Sequence, residues 1–303
     1  MLQELKKCTL CPRECQINRT KKEKGICGAS NKMKIARYSL HLWEEPVLSG
    51  MNGSGTIFFS HCNLKCIYCQ NYQISEKNIG YEITTDEFAD ICLELQERGA
   101  HNINLVTPTH YVLQIIEGLL IAKKRGLKLP IVYNTSGYEK KETIQMLNGI
   151  VDIYLPDFKY FDEKLARQYS FVSNYFDSIT ESLQEMVKQV GNLEYDSNHL
   201  LKKGVIVRHL CLPGHIEDSK KILKYLHQTY QNKIFISIMN QYTPVREIPK
   251  FSNLNRTLTE EEYNEIINYA CDIGITNAFI QEGETQAISF IPKFYNEPQK
   301  KNS

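Results

Sequence analysis

Short apolar runs alternate with longer amphipathic segments from about residue 55 onwards. This alternation is typical of buried strands followed by helices that bury one face. Two amphipathic segments open with a Thr and carry a Glu three residues later, at Thr84 and Glu87 and at Thr259 and Glu262, which indicates capping boxes. We predict strands at 55–60, 102–106, 130–134, 151–158, 204–212, 233–239 and 277–282, and helices at 84–99, 111–126, 140–147, 174–191, 218–230 and 258–274.

The repeated strand–helix unit predicts an α/β protein with a parallel sheet covered by helices. A barrel and a doubly wound sheet both satisfy this pattern. Polar residues recur where the predicted strands end: Thr107, Asn134, Ser136, Asp157, Lys159, Arg208, His209 and Gln241. In a barrel these C-terminal strand ends surround one mouth, so their recurrence favours a barrel over strand ends that are polar because they meet water. The segment 192–204 is predicted to be a surface turn.

The composition is that of a globular protein with almost no net charge. Hydrophobic residues make up 42% of the 303 residues, so a sizeable core can form in one large domain or two ordinary ones. The formal net charge of +1 provides no global attraction to nucleic acid or membranes, and we expect neither as a partner. The first residues lack a secretory pattern, and the most apolar stretch is interrupted by Gln114 and Glu117. We therefore expect a cytoplasmic protein.

The ten cysteines of such a protein indicate metal binding or catalysis rather than a disulfide framework. They form two groups and three single residues. One group is Cys62, Cys66 and Cys69, and the other is Cys8, Cys11, Cys15 and Cys27. The single residues, Cys92, Cys211 and Cys271, are expected to be ordinary thiols packed as small hydrophobes.

The group of three lies in a loop directly after the first predicted strand. On a helical turn, positions i, i+4 and i+7 share one face, so the three thiolates can converge. A structural zinc site and a fully ligated iron–sulfur cluster each take four protein ligands, so three cysteines leave one metal position open. His61 could complete a zinc site, but adjacent side chains in a strand point apart. A [4Fe–4S] cluster with one free iron is the favoured interpretation, and zinc and an unmetallated loop are the alternatives.

The N-terminal group could close a complete four-thiolate site. Structural zinc and an auxiliary iron–sulfur cluster both fit, because spacing alone does not choose the metal, and free thiols are the third alternative. The basic residues between them are interpreted as a solvated loop, with docking of an acidic electron donor as the alternative: Arg19, Lys21, Lys22 and Lys24. Trp43, the only tryptophan, is expected to pack in the core.

The CxxxCxxC spacing, with the aromatic Tyr68 just before Cys69, resembles the radical S-adenosylmethionine (SAM) superfamily. The resemblance implies a [4Fe–4S] cluster whose free iron is chelated by SAM. It also implies reductive cleavage of SAM to a 5′-deoxyadenosyl radical that abstracts a hydrogen atom. The implied fold is a partial (β/α)6-type TIM barrel at residues 51–290, with a small N-terminal cysteine-rich module at 1–50 and a flexible tail at 291–303.

Nearly the whole chain resembles the pyruvate formate-lyase activating enzyme group, most closely its homologues with an added N-terminal cysteine module. The stretch "NTSG" at 134–137 corresponds to a strand end beside the activase site, "DFK" to the activase Asp-x-Lys, and "RHLCLPG" to its Arg-Tyr-x-x-x-Pro-Gly. Where many family members carry Gly-Gly-Glu, this chain has "VTPTHY", which offers hydroxyls instead. The resemblance implies cofactor-binding roles for Tyr68, Thr107, Thr109, Asn134, Ser136, Asp157, Lys159 and Arg208.

The first functional hypothesis is therefore activation of a glycyl radical enzyme, with a flavodoxin or ferredoxin-type electron donor implied by resemblance. The second is radical SAM modification of another peptide or of a small molecule, which would turn over many times instead of once per partner. The third is a non-enzymatic zinc-binding protein with two cysteine sites.

Overall fold

A computed structural model describes residues 2–281 and 292–298. The strands are β1 (Met33–His41), β2 (Ser54–Phe59), β3 (Tyr81–Ile83), β4 (Ile103–Val106), β5 (Ile131–Thr135), β6 (Ile153–Pro156), β7 (Glu194–Tyr195), β8 (Leu201–Leu210), β9 (Phe235–Met239) and β10 (Ala278–Ile280). The helices are α1 (Leu2–Lys6), α2 (Pro46–Ser49), α3 (Tyr72–Ser75), α4 (Thr85–Glu97), α5 (Val112–Lys124), α6 (Lys141–Gln145), α7 (Glu163–Ser170), α8 (Tyr175–Val190), α9 (Ile216–Tyr230) and α10 (Glu260–Asp272).

One sheet organises the chain, in the order β10-β9-β8-β6-β5-β4-β2-β1-β3. The neighbours from β10 to β2 are parallel, and β1 and β3 are antiparallel additions at the β2 edge. In the part of the chain that the structure describes, the two end strands do not pair with each other, so the sheet is an open partial barrel. This confirms the predicted mixed α/β class with a parallel sheet.

Alternate residues of the central parallel strands face opposite sides of the sheet. On β5, Ile131 and Tyr133 join the large core that packs against the helices, whereas Val132 joins a smaller cluster on the other face with Leu155 and Leu48. A strand buried on both faces has no polar side, which explains why β5 is apolar throughout its first three residues. The two predicted capping boxes are present at the starts of α4 and α10.

Several elements of the structure were not predicted, because their local hydrophobic pattern is weak. β1, inside the predicted 1–50 module, adds to the main sheet by pairing with β2. The predicted turn at 192–204 contains β7 and the start of β8, which pair as an antiparallel hairpin. α7 was also not predicted. Its N-cap Asp162 accepts a hydrogen bond from the main-chain N–H of Lys164, which begins the helix.

Part of the predicted tail at 291–303 is described. The ring of Phe294 meets that of Phe58 edge-on at 5.5 Å, and the N–H of Tyr295 donates to the carbonyl of Ala36 over 3.0 Å. Residues 292–298 are thus joined to the β1–β2 edge, whereas 291 and 299–303 lie outside the described residues, as does the last residue of the strand predicted at 277–282. A search of the described residues for a helix that is both long and apolar enough to cross a membrane found none.

Candidate functional site

The three-cysteine loop follows β2 and turns back over the carboxyl ends of the parallel strands. His61 and Lys65 adopt left-handed backbone conformations, with φ of 77° and 64°, which bend the chain on either side of Cys62. The N–H of Cys69 donates to the carbonyl of Cys66 over 3.1 Å, closing a tight turn between these two ligand candidates.

Hydroxyl groups contact two of the three sulfurs. The Oγ of Ser170 donates to the Sγ of Cys66 over 3.0 Å, and the Oγ of Ser75 donates to that of Cys69 over 3.5 Å. Burial raises the pKa of Cys66, and burial together with the neighbouring thiols raises the pKa of Cys69 to about 12. Because these thiols do not ionise readily by themselves, they become thiolate ligands only when a metal supplies positive charge.

A network of charged and amide groups lies at the ends of β5, β6 and β8. Arg208 donates to Asp157 Oδ1 over 3.0 Å from Nε, to Glu44 Oε1 over 2.9 Å from Nη1, and to Asn134 Oδ1 over 2.8 Å from Nη2. Lys159 Nζ donates to Asp157 Oδ2 over 2.7 Å. Burial acts to raise the pKa of Asp157, but Lys159 and Arg208 outweigh it and hold that pKa below its usual value. The carboxylate is therefore fixed and ionised.

The cysteine loop and this network line a single cavity of about 260 Å³. The predicted site residues that line it are Cys62, Cys66, Tyr68, Cys69, Thr107, Asn134, Ser136, Asp157, Lys159 and Arg208. Thr107 adopts a left-handed conformation with φ of 58°, which is strained for a β-branched residue. The Oγ of Ser136 is buried and has no hydrogen-bond partner within the described part of the chain.

Thr109 does not join the cavity. Its hydroxyl donates to Glu139 Oε1 over 2.5 Å, and Thr135 donates to the same oxygen. Thr109 is fully buried, so it fixes Glu139 instead of facing the site to which the resemblance assigned it. His110, in the same loop, is also buried, with its Nε2 2.8 Å from the carbonyl of Ser60.

Three functional candidates were missed by sequence reasoning. Glu44 accepts from Arg208 and, over 2.7 Å, from Asn104. Trp43 is 72% exposed and lines the cavity, so the expectation that it packs in the core is wrong. Ser170, the third, lies on α7, which no pattern predicted. The doublet "EE" directly after Trp43 was the available signal for Glu44.

The N-terminal cysteines also come together. Cys8, Cys11, Cys15 and Cys27 line a second, small cavity with Arg19 and His110. Arg19 is 1% exposed, so it does not belong to the solvated basic loop, in which Lys21, Lys22 and Lys24 are exposed. Of the single cysteines, Cys92 and Cys211 are buried as expected, whereas Cys271 is exposed. Over residues 2–281 and 292–298, no group of three or more His, Cys, Asp or Glu is arranged to hold a single metal ion.

Comparison with known proteins assigns the family. A model described as the radical SAM superfamily matches residues 56–226. An uncharacterized protein of Methanocaldococcus jannaschii is 33% identical over 280 residues, which cover 88% of this chain and 74% of that protein. The chain therefore belongs to the radical SAM superfamily. Membership implies an enzyme that uses a [4Fe–4S] cluster and S-adenosylmethionine.

Two solved structures share the fold. SuiB of Streptococcus suis, bound to the precursor peptide SuiA, matches with a TM-score of 0.51 and 15% identity over 74% of this chain and 47% of that chain. Methylornithine synthase, PylB, matches with a TM-score of 0.50 and 17% identity over 72% of this chain and 60% of that chain. This chain thus spans about half the length of SuiB and less than two thirds of PylB. At these identities the likeness concerns the fold alone.

The residues of the large cavity fit the implied group. Three cysteines of one loop line a space that Ser136 and Lys159 also line. A three-thiol set leaves one iron of a cubane cluster without a protein ligand. The polar groups beside it are of the kind that hold an amino acid moiety and a ribose.

Proposed function

We propose that this protein cleaves S-adenosylmethionine reductively at a [4Fe–4S] cluster bound by Cys62, Cys66 and Cys69, and that it activates a glycyl radical enzyme. When bound, the cluster and SAM supply one electron and a 5′-deoxyadenosyl radical that abstracts a hydrogen atom. The observation that carries the proposal is the shared cavity: Cys62, Cys66 and Cys69 line the same space as Asp157 and Ser136.

The residues around the cavity divide into contacting and positioning groups. Arg208 directs its Nε and both terminal nitrogens to Asp157, Glu44 and Asn134, so we assign it to shaping the pocket. Lys159 makes one such bond, to Asp157, and an ammonium has three donors. We therefore assign SAM contact to Lys159 and Ser136, and to the amide of Asn134, with Tyr68 and Thr107 forming walls.

A macromolecular substrate is supported by the rim of the cavity. Trp43 is 72% exposed while lining the space, and its neighbour Leu42 is 56% exposed. Exposed aromatic and aliphatic side chains at the edge of a site are frequent anchors in protein interfaces. We propose that this rim receives the loop of the partner that carries the glycine. A flavodoxin or ferredoxin-type protein is the proposed electron donor, and the exposed Lys21, Lys22 and Lys24 offer it a basic surface.

The first experiment is anaerobic. The protein is reconstituted with iron and sulfide and incubated with SAM and dithionite, and 5′-deoxyadenosine is quantified. Cys66→Ala removes one ligand and should abolish the product, whereas Cys271→Ala, at an exposed thiol, should not change it. Intact SAM with the wild-type protein, together with bound zinc, would contradict the radical chemistry and favour the zinc-binding alternative.

Stoichiometry tests the choice of substrate. Pyruvate formate-lyase serves as the probe partner, and electron paramagnetic resonance reports an organic radical on it. We expect about one SAM to be consumed per radical formed, because the radical remains on the partner. Many equivalents of 5′-deoxyadenosine with a released, modified product would instead support modification of another peptide or a small molecule.

A further inference from the structure

The four N-terminal cysteines are spread over twenty positions, yet the backbone folds them around one small cavity. The N–H of Cys8 donates to the carbonyl of Ile17, and the N–H of Gln16 donates to that of Cys8, both over 2.9 Å. Between these residues Glu14 and Gln16 adopt φ of 42° and 55°. The backbone accepts this unfavourable conformation at two non-glycine residues in a short loop, which indicates that the arrangement serves a site.

Main-chain N–H groups point at the sulfurs. Ile26 donates to Cys15 Sγ and Ala29 donates to Cys27 Sγ, both over 3.5 Å, and the N–H of Arg13 contacts Cys11. Hydrogen bonds of this kind stabilise negative charge on sulfur and tune clusters bound by cysteines. Thiols that merely fill a core have no need of such donors.

A buried cation accompanies the sulfurs. Arg19 Nη1 lies 4.0 Å from Cys8 Sγ, and its guanidinium donates to the carbonyls of Ser30 and His110. Those carbonyls satisfy its hydrogen bonds but carry no charge. A buried guanidinium normally requires a negative partner, and a cluster held by four thiolates supplies one.

The arrangement of the four cysteines favours a cluster over a single zinc ion. Zinc–sulfur bonds of about 2.3 Å place four tetrahedral sulfurs only ~3.8 Å apart, in contact with one another. Here the four cysteines line one cavity, but within the described residues no three of them are arranged to hold a single metal ion. Gly25 keeps the cavity open on one side, because a Cβ at this position would lie 2.8 Å from Cys15 Sγ.

We propose that Cys8, Cys11, Cys15 and Cys27 bind an iron–sulfur cluster, not zinc. The site adjoins the large cavity. His110 lines it, and the His110 ring meets that of His61 at 6.2 Å, while His61 lines the large cavity next to Cys62. Two buried histidines therefore separate this site from the candidate SAM site. The inference stands without the proposed function, since it rests on the N-terminal residues alone.

The test uses the full chain with the first site removed. A Cys62→Ser, Cys66→Ser, Cys69→Ser variant is isolated anaerobically, reconstituted with iron and sulfide in the presence of zinc, and assayed for iron, sulfide and zinc. We expect it to retain about half of the wild-type iron and sulfide, with visible charge-transfer absorbance. Adding Cys11→Ser and Cys15→Ser to the triple variant should remove the remaining iron. Adding Cys271→Ser to the triple variant instead should leave that iron bound.

One zinc and no iron in the triple variant would overturn the inference, as would a folded triple variant with no metal. If circular dichroism shows that the triple variant does not fold, the reciprocal variant Cys11→Ser, Cys15→Ser tests the inference instead. It should lose half of the iron and keep the cluster at Cys62, Cys66 and Cys69. Iron equal to wild type in this variant would contradict the second cluster while leaving the proposed function intact.

Discussion

Arg208 Nε donates to Asp157 Oδ1 over 3.0 Å, joining the ends of two neighbouring strands at the cavity. The same guanidinium reaches Glu44 and Asn134, so one planar side chain holds three separate segments in place. A lysine keeps the charge but cannot reproduce this fork. The position of the carboxylate of Asp157 in the site therefore depends on the shape of Arg208 as well as on its charge.

We expect Arg208→Lys to weaken SAM binding by at least about tenfold, because hydrogen bonds to charged groups contribute roughly 1.5–3 kcal/mol each. Equilibrium binding of SAM to the reconstituted protein measures the change, and circular dichroism checks the fold. Arg125→Lys is the matched control, since Arg125 pairs with Asp86 and Asp90 at an exposed position. Equal SAM affinity in Arg208→Lys and wild type would contradict the positioning role.

Hydrogen bonding to Cys66 should set the potential of the proposed cluster. The chain of hydroxyls runs from Tyr68 to Tyr160 over 2.7 Å, from Tyr160 to Ser170 over 2.7 Å, and from Ser170 to the Cys66 sulfur. A donor to a cluster thiolate stabilises the more negative, reduced state. We expect Ser170→Ala to shift the reduction potential to a more negative value, measured by a redox titration followed by electron paramagnetic resonance.

The control for that shift is Ser182→Ala. Ser182 is equally buried but donates to the carbonyl of Ile179 within α8. Its replacement should leave the potential unchanged. An unchanged potential in Ser170→Ala as well would show that this hydroxyl does not act on the cluster.

The strained backbone at Thr107 predicts that a substitution can raise the stability of the protein while it weakens SAM binding. A residue with φ of 58° is better accommodated as glycine, and left-handed backbone costs an L-residue roughly 1–2 kcal/mol. Thr107→Gly should raise the free energy of unfolding by about 1 kcal/mol, after the added flexibility of the unfolded chain is offset. It should also weaken SAM binding, because it removes a side chain from the wall of the cavity, whereas Thr107→Ser should keep most of that wall and the binding. Urea unfolding and SAM titration test both parts, and lower stability in Thr107→Gly would refute the strain argument.

The strands of the parallel sheet were predictable because their apolar runs are local. All seven predicted strands overlap observed ones, and the capping boxes at α4 and α10 form as the sequence indicates. Glu44 was not predictable in the same way, because it lies 164 positions from Arg208 and their contact depends on how the barrel brings distant loops together. The resemblance assigned Thr109 to the cofactor, but its hydroxyl donates to the buried carboxyl of Glu139, 30 positions further along the chain. Local pattern thus identified most residues of the cavity wall, and tertiary contacts decided which candidates line it.

Glu139 provides a prediction about pH. The residue is 1% exposed, Thr109 and Thr135 donate to its Oε1, and its Oε2 has no partner within the described residues. Burial raises the pKa of Glu139 to about 7, and the hydroxyl donors only partly oppose this shift. In the unfolded chain a glutamate titrates near 4.3. Between these values the folded protein binds more protons than the unfolded one, so its stability falls as the pH rises.

We expect Glu139→Gln to unfold with the same free energy as wild type near pH 4, where both side chains are neutral. At pH 8 the variant should be more stable, on the order of 3 kcal/mol if the whole shift is realised, because the buried negative charge is gone. Urea unfolding at several pH values between 4 and 8.5 measures the difference. Glu142→Gln, at an exposed position on α6, is the control and should show no such pH dependence. A Glu139→Gln variant that follows wild type across this range would mean that Glu139 titrates as in the unfolded chain, or that a cation keeps it ionised.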